Sequence, residues 1–482
     1  MGTFFNRQHE LDDIKAILAE ARCSLTIVYG PRGVGKSRLF EEAIGSGAYY
    51  SYTATERVMS QQLDDMRTAL VTLKSSRMIA GSFSRFEQLL DTLADVADTT
   101  PKEPLPIVID EFPYLADADP ALLTALQKWW QAARKKRTNL KLFLLGSRVS
   151  WMEKEALSPD AALKSVRTNN MAIDELNYLH AAQFYPTWSA QDKVRGWAVW
   201  GGLPAALEEI QSNKSLWDNI EYSTLQTRAK LYAEPDWMKF TELRSNAIYT
   251  SIVRAIADGA GTPANIADAV GKKAANEVTP YLDNLREARV VERRPSMNAD
   301  GDAPRTALYM VKDPFLAYWY RFVDRHRSAL QRRMVLQVLQ VLRDPDHGLD
   351  KLVSELAFED ISRSFLFEAA ASGRLPRDLT FDTVGAWWTG GKTLRSEELD
   401  VVAYQNRKLV AVGECKWTND PVDEGEVHDL DRIVQAASAE LKPAPNLYRM
   451  LFSRSGFSKA VRDRAADTAQ RILLFEPKAL YW

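Results

Sequence analysis

Residues 398–417 read ELDVVAYQNRKLVAVGECKW, two apolar runs around a polar turn, with Asp400 in the first and Glu414 and Lys416 in the second. A strand alternates its side chains between two faces, which puts Val410, Val412, Glu414 and Lys416 on one face of the second run. A turn centred on Arg407, which an odd-length loop permits, sets Asp400 directly opposite Glu414 on that same face. Two carboxylates so placed repel, and a cation held between them relieves the repulsion. Asp400 and Glu414, with the Cys415 carbonyl, are oxygen ligands of the kind Mg²⁺ takes, and Mn²⁺ is an alternative. Lys416 would then position or help deprotonate water and offset phosphorane charge. The Cys415 thiol is expected to pack in a core, because Mg²⁺ prefers oxygen. On spacing alone, the alternative is a solvated hairpin face with a Glu/Lys pair.

A second constellation lies near the start. SLTIVYGPRGVGKSRLFEEAIG holds Gly30, Pro31, Arg32, Gly33, Val34, Gly35, Lys36 and Ser37 between an apolar strand and a helical pattern. Glycines let the backbone curl so that successive N–H groups and the helix N-terminus surround anionic phosphates. Lys36 is expected to reach the β- and γ-phosphates of ATP and Ser37 to ligate Mg²⁺. The run PLPIVIDEF ends a strand in Asp110 and Glu111, where Asp110 would hold Mg²⁺ through water and Glu111 would orient or deprotonate the attacking water. LKLFLLGSR ends in Ser147, placed either to sense the γ-phosphate or to cap the next helix.

These residues need strands to carry them and a chain large enough to bury the strands. The 482 residues suffice for about three domains. Hydrophobic residues at 46% and charged residues at 26% describe a globular protein with sizeable cores. A formal net charge of -2 excludes a strongly basic nucleic-acid coater, although a basic face on one domain stays open. Two cysteines provide no disulfide framework, and five histidines without a Cys/His cluster argue against zinc. No secretory or lipidation signal and no membrane-spanning apolar run is evident, so the expectation is a cytoplasmic protein with no membrane partner.

FFNRQHELDDI, the phosphate loop, VIDEF, LLGSR, Arg167 and GGLP (Gly201 to Pro204) together resemble the archaeal-type P-loop ATPases of the AAA+/STAND group, over about residues 3–235. The resemblance implies that Phe5 and Arg7 lie near the adenine, that Ser147 is a sensor, that GGLP belongs to a helical lid and that Arg167 contacts the γ-phosphate. Alternating strands and helices imply a three-layer α/β sheet with its site at the carboxyl ends of the strands.

From about residue 240 the pattern turns helical. TPANIADAVGKKAANEVTPYLDNLREARVVERR is similar to a winged helix-turn-helix, with a two-stranded wing after it. Lys272, Lys273, Arg286, Arg293, Arg294 and Arg305 are candidate contacts to DNA phosphates; the competing reading is a packing module. Phe315, Tyr318, Trp319 and Phe322 read as an apolar seam, with a base-stacking platform as the alternative.

The last third resembles the PD-(D/E)XK nucleases, with Glu359 on a helix before the hairpin and Asp400, Glu414 and Lys416 in the motif positions. By that resemblance Glu359 holds a second metal or its water. The expected organisation is an α/β multidomain chain: a P-loop ATPase core at 1–175, a helical lid at 176–239, a winged-helix domain and linker at 240–325 and a restriction-endonuclease-like α/β domain at 326–482. The expected function is ATP binding and hydrolysis coupled to DNA binding and metal-dependent endonuclease cleavage. The alternative is an ATP-dependent regulatory or scaffold protein with a non-cleaving nuclease-like domain. A homo-oligomer or a protein partner stays open.

Overall fold

The computed structural model describes residues 5–73, 82–98, 105–136, 139–233, 247–389 and 397–482. They form two compact units, Met1–Glu175 with Leu203–Ala205, and Leu176–Gly202 with Ala206–Trp482.

In the first unit, helix α1 (Gln8–Ala19) precedes β1 (Ser24–Tyr29), and α2 (Lys36–Ile44) follows it. Then come β2 (Tyr50–Thr53), β3 (Leu105–Asp110), β4 (Leu140–Gly146) and β5 (Asn169–Ala172). The strands are parallel and ordered β2-β3-β4-β1-β5. β3 and β4 are buried along their whole length, and β1 at all but its last residue. Helices cover both faces of such a sheet, which is why these strands read as unbroken apolar runs instead of alternating ones. The neighbours β3, β4 and β1 end at Asp110, Gly146 and Tyr29, so three candidate residues or loops leave the sheet side by side.

In the second unit, α3 (Ala190–Trp200) opens on Ser189, whose hydroxyl accepts the Asp192 N–H at 3.1 Å, and closes on Gly201 at φ 60°. Further along come α4 (Ala247–Ala257), α5 (Pro263–Ala269) and α6 (Thr279–Glu287). Thr262 caps α5 with Pro263 in its first turn, and Pro280 likewise falls in the first turn of α6, where a missing N–H costs nothing. An antiparallel ribbon follows, β6 (Val291–Asn298) and β7 (Gly301–Val311). The ribbon tip packs into the C-terminal core: Ala299 and Met297 join its apolar cluster, and Ser296 exchanges two hydrogen bonds of 2.9 Å with the Trp388 backbone. Phe315, Tyr318, Trp319 and Phe322 are all buried, as an apolar seam requires, and none offers a face to a base.

Helix α7 (Phe358–Ala371) leads into the C-terminal sheet of β8 (Thr383–Trp388), β9 (Glu398–Gln405), β10 (Lys408–Lys416), β11 (Pro443–Ser453) and β12 (Ile472–Phe475), with α8 (Glu424–Ala436) between β10 and β11. The order is β12-β11-β10-β9-β8, antiparallel from β8 to β10 and parallel from β10 to β12.

The β9–β10 hairpin differs from the odd-length turn expected. Gln405 pairs with Lys408, so the turn is the two residues Asn406 and Arg407, at φ 50° and 63°. A bulge between Leu409 and Ala411 then adds one residue, and from there Ala411 faces Ala403 and Gly413 faces Val401. Continuing that register sets Glu414 opposite Asp400, so the expected juxtaposition arises by a different route. The turn pays for its shape in backbone strain at Arg407, where a left-handed residue costs about 1–2 kcal/mol and glycine would give back about 0.5–1 kcal/mol in chain entropy. Arg407→Gly is therefore expected to stabilise the protein by about 0.5–1 kcal/mol in urea unfolding. A neutral or destabilising result would show that the Arg407 side chain offsets the strain.

Candidate functional site

The phosphate loop is built from backbone first. Gly30 leaves β1 so close to the next strand connection that a Cβ there would stand 2.0 Å from the Ile173 carbonyl oxygen. Gly35, at φ 90°, has nothing within 4 Å of its Cβ position, so the space beside the N-terminus of α2 is open. Lys36 is buried and its Nζ donates to the carbonyl oxygens of Gly30 at 2.8 Å and Pro31 at 3.1 Å, which folds the loop around its own cation. Burial pulls the Lys36 pKa down, while Glu111 and Asp110 oppose that pull.

Asp110 ends β3 and Glu111 follows it. Ser37 Oγ donates to Asp110 Oδ2 at 2.5 Å, which brings the two expected Mg²⁺ ligands of this unit together. Asp110 Oδ1 accepts the Glu111 N–H at 2.8 Å. Glu111 stands at φ 51°, a left-handed conformation unusual for a non-glycine residue and typical of functional sites. Its carboxylate accepts the Ser147 hydroxyl at 2.7 and 2.6 Å, so Ser147 holds Glu111 and does not cap a helix. Arg7 is buried and committed elsewhere: it donates to the carbonyl oxygens of Val34 at 3.2 Å and Asp174 at 2.7 Å and pairs with Glu10. It braces the phosphate loop. Phe5 is half-buried at the chain start, Arg32 is exposed, and Arg167 donates to the Ala156 carbonyl at 3.1 Å.

In the C-terminal domain the acids converge. Glu359 on α7 and Glu398 and Asp400 on β9 each place a carboxylate oxygen within 4.8 Å of the others. Glu398 went unnoticed in the sequence, although it shares the strand face of Asp400 two residues away. Asp400 is buried, and its Oδ2 accepts the Cys415 N–H at 2.8 Å. Burial raises the Asp400 carboxyl to about 6. Glu414 is raised further, to about 8, by burial and then by the negative charge of Asp400. Lys416 Nζ draws Glu414 aside, pairing with it at 2.7 Å and with Glu426 of α8 at 3.1 Å. Those two acids outweigh the effect of burial and hold the lysine above its ordinary pKa. The Cys415 thiol is buried and its pKa lies well above its usual range, which suits packing.

Two arginines supply positive charge to this cluster. Arg363, one turn after Glu359, donates to Glu359 at 3.3 Å, to the Asp400 carbonyl at 2.8 Å and to Asp360 at 2.6 Å. Asp360 also receives a two-pronged bond from Arg294 of the ribbon, at 2.6 and 2.8 Å. Burial would raise Asp360, but the two guanidinium groups overcome it and hold the carboxyl at about 2. Arg294 is thus an internal ion-pair partner, and its expected role as a DNA contact is corrected; the Arg305 side chain lies outside the described residues. Arg286, Arg289, Arg293 and Lys312 line a groove of about 600 Å³ beside α6, interspersed with acids.

The raised carboxyls give a testable pH dependence. At Asp400 and Glu414 the folded protein binds more protons than the unfolded chain between about pH 4 and pH 8, so ionising these two groups costs stability as pH rises through that window. In a metal chelator, Asp400→Asn should melt near the wild-type temperature at pH 4 and progressively above it towards pH 8. A difference that does not vary with pH would mean that the fold does not raise the Asp400 carboxyl.

Comparison with known proteins agrees with the first unit. Residues 4–210 match a family model described as an ATPase domain predominantly from Archaea, and residues 319–430 match one described as archaeal and bacterial proteins of unknown function. The N-terminal unit has a P-loop NTPase-like α/β fold, and the C-terminal domain is a further α/β domain on a mixed sheet. An uncharacterised protein of Methanocaldococcus jannaschii is 27% identical over 417 residues, covering 86% of this chain and 87% of its own. Among solved structures, a Walker-type ATPase of Pyrococcus abyssi is similar at TM-score 0.48 and 17% identity, over 66% of this chain and 96% of that one. The ORC2 protein of Aeropyrum pernix with ADPNP and ADP is similar at TM-score 0.44 and 15% identity, over 68% and 94%. Among the described residues no helix is long and apolar enough to cross a membrane.

Proposed function

We propose that this chain binds and hydrolyses ATP and uses the nucleotide cycle to govern DNA binding and metal-dependent phosphodiester cleavage in its C-terminal domain. In this reading residues 176–239 are a lid, residues 240–325 a winged helix with its linker and residues 326–482 a PD-(D/E)XK nuclease-like domain. The observation that carries it is the convergence of Glu359, Glu398 and Asp400 beside Glu414 and Lys416, at the adjoining ends of β9 and β10.

At the phosphate loop the backbone N–H groups and Lys36 neutralise phosphate charge, while Ser37 and Asp110 supply the oxygen pair for Mg²⁺. Glu111 orients the attacking water once the γ-phosphate competes for its partner Ser147. In the C-terminal domain the donor set is all carboxylate oxygen, which fits Mg²⁺ or Mn²⁺ and not zinc. A divalent ion held there would stabilise charge developing on a scissile phosphate. Asp400 and its neighbours would hold it, and Lys416 would position water and offset negative charge on the phosphate. Arg286, Arg289, Arg293 and Lys312 of the groove beside α6, set among Asp283, Glu287 and Glu292, are the candidate contacts to a DNA backbone.

The second reading, a non-cleaving regulatory scaffold, draws on Arg363. Its guanidinium already sits among the acids and supplies part of the charge a metal would.

Four variants separate these activities. Lys36→Ala should lose nucleotide binding, whereas Glu111→Gln should bind ATP and lose hydrolysis; wild-type turnover in Glu111→Gln would remove that role from Glu111. Asp400→Asn should lose both Mn²⁺ binding by calorimetry and cleavage, whereas Lys416→Ala should keep the metal and lose cleavage by about 100-fold or more. If the wild type cuts no linear, branched or single-stranded DNA with Mg²⁺ or Mn²⁺, with or without ATP, the scaffold reading replaces the nuclease.

A further inference from the structure

Strand β10 stops at Lys416, and the next residue is a buried tryptophan in an unusual setting. The Trp417 indole N–H donates to Asp350 Oδ1 at 3.0 Å. The same carboxylate accepts Arg195 Nε at 2.8 Å and Nη2 at 3.1 Å, and Arg454 Nη1 at 2.9 Å. Both guanidinium groups also lie over the Trp417 ring, at 5.7 and 5.4 Å from its centre. Arg454 grips the strand a second time, because its backbone N–H donates to the Lys416 carbonyl at 2.9 Å. Charge-assisted bonds of this kind are about twice as strong as neutral ones, and four on one carboxylate leave it little freedom to move. The backbone of Lys416 is therefore fixed by the Asp350 hub on one side and by Glu414 and Glu426 at its ammonium on the other.

Arg195 is the arm of the hub that comes from α3. That helix ends at Trp200, and the chain continues through Gly201 and Gly202 into Leu203–Ala205. Those three residues belong to the N-terminal unit, where the Ala205 N–H donates to the Gly33 carbonyl of the phosphate loop at 3.2 Å. Gly201 is left-handed, and a Cβ on Gly202 would stand 1.9 Å from the Leu176 carbonyl oxygen.

We propose that Asp350 and Arg195 are positioning residues for Lys416, and that α3 makes the placement of this lysine depend on the nucleotide held by the phosphate loop. The inference rests on the reading of Lys416 as a working group of a cleavage site. ATP and ADP contact the Gly33 backbone differently, the GGL segment transmits the difference to α3, and Arg195 moves the Asp350 carboxylate and with it Trp417.

The test is hydrogen–deuterium exchange on the full chain with ADP or with ADPNP, read on peptides spanning 30–37 and 413–419. Both nucleotides should protect 30–37, and exchange at 413–419 should differ between them in the wild type. Arg195→Gln should abolish the difference at 413–419 while leaving 30–37 protected, and Arg195→Lys, which keeps one ion pair, should restore part of it. In cleavage assays Arg195→Gln should lower kcat by about 10- to 100-fold with the Mn²⁺ affinity unchanged, as misplacement of a reacting group does. A difference at 413–419 that survives in Arg195→Gln, or that is absent from a wild type whose phosphate loop is protected, overturns the inference. If the wild type does not cut DNA at all, the nuclease reading falls, and the exchange result still decides whether the hub reports nucleotide.

Discussion

Acidic side chains gathered in a low-dielectric interior repel one another and resist ionisation, and the C-terminal half of this protein is arranged around that constraint. Glu359, Glu398, Asp400 and Glu414 come from one helix and two strands, and the helix and β10 carry other residues that temper the charge. The Cys415 amide is aimed at Asp400, Lys416 is drawn onto Glu414, and Arg363 is placed between Glu359 and the Asp400 carbonyl. Arg294 then fixes Arg363 by way of Asp360. Removing one partner of a buried pair leaves the other uncompensated, so these groups behave as one unit and not as separate contacts.

The N-terminal unit meets the opposite demand, a concentration of donors awaiting negative charge. Its parallel sheet brings three strand ends to one edge, and the loop after β1 turns the carbonyl oxygens of Gly30 and Pro31 inwards onto Lys36. The buried lysine, the strained Glu111 and the short Ser37–Asp110 contact are all arrangements that an isolated loop would not keep. The sheet behind them, buried on both faces, holds them in place.

What could be read from the sequence is what depends on neighbours in the chain. The phosphate loop, the acidic end of β3 and the alternation along β10 are local patterns, and the structure places Lys36, Ser37, Asp110 and Lys416 accordingly. Glu398 and Arg363 carried a local signal too, one by strand alternation with Asp400 and the other by a helical turn from Glu359. The bulge at Val410 carried none, because the Leu409 N–H is taken by the Lys442 carbonyl on a different strand connection. Nor did the ion pairs Arg294–Asp360 and Arg195–Asp350, whose partners are 66 and 155 residues apart. A basic residue on a ribbon reads as a contact for an external phosphate until its internal acid is seen.

The ribbon tip is as much a part of the C-terminal core as the sheet itself. Met297 and Ala299 complete the apolar cluster of the C-terminal sheet, and Ser296 satisfies both backbone groups of Trp388 on the edge strand β8. A gene segment starting at residue 326 would leave these residues behind, exposing an unpaired strand edge and a vacancy in the core. The ribbon tip and the sheet are therefore one packing unit, and residues 326–482 alone do not complete their own core.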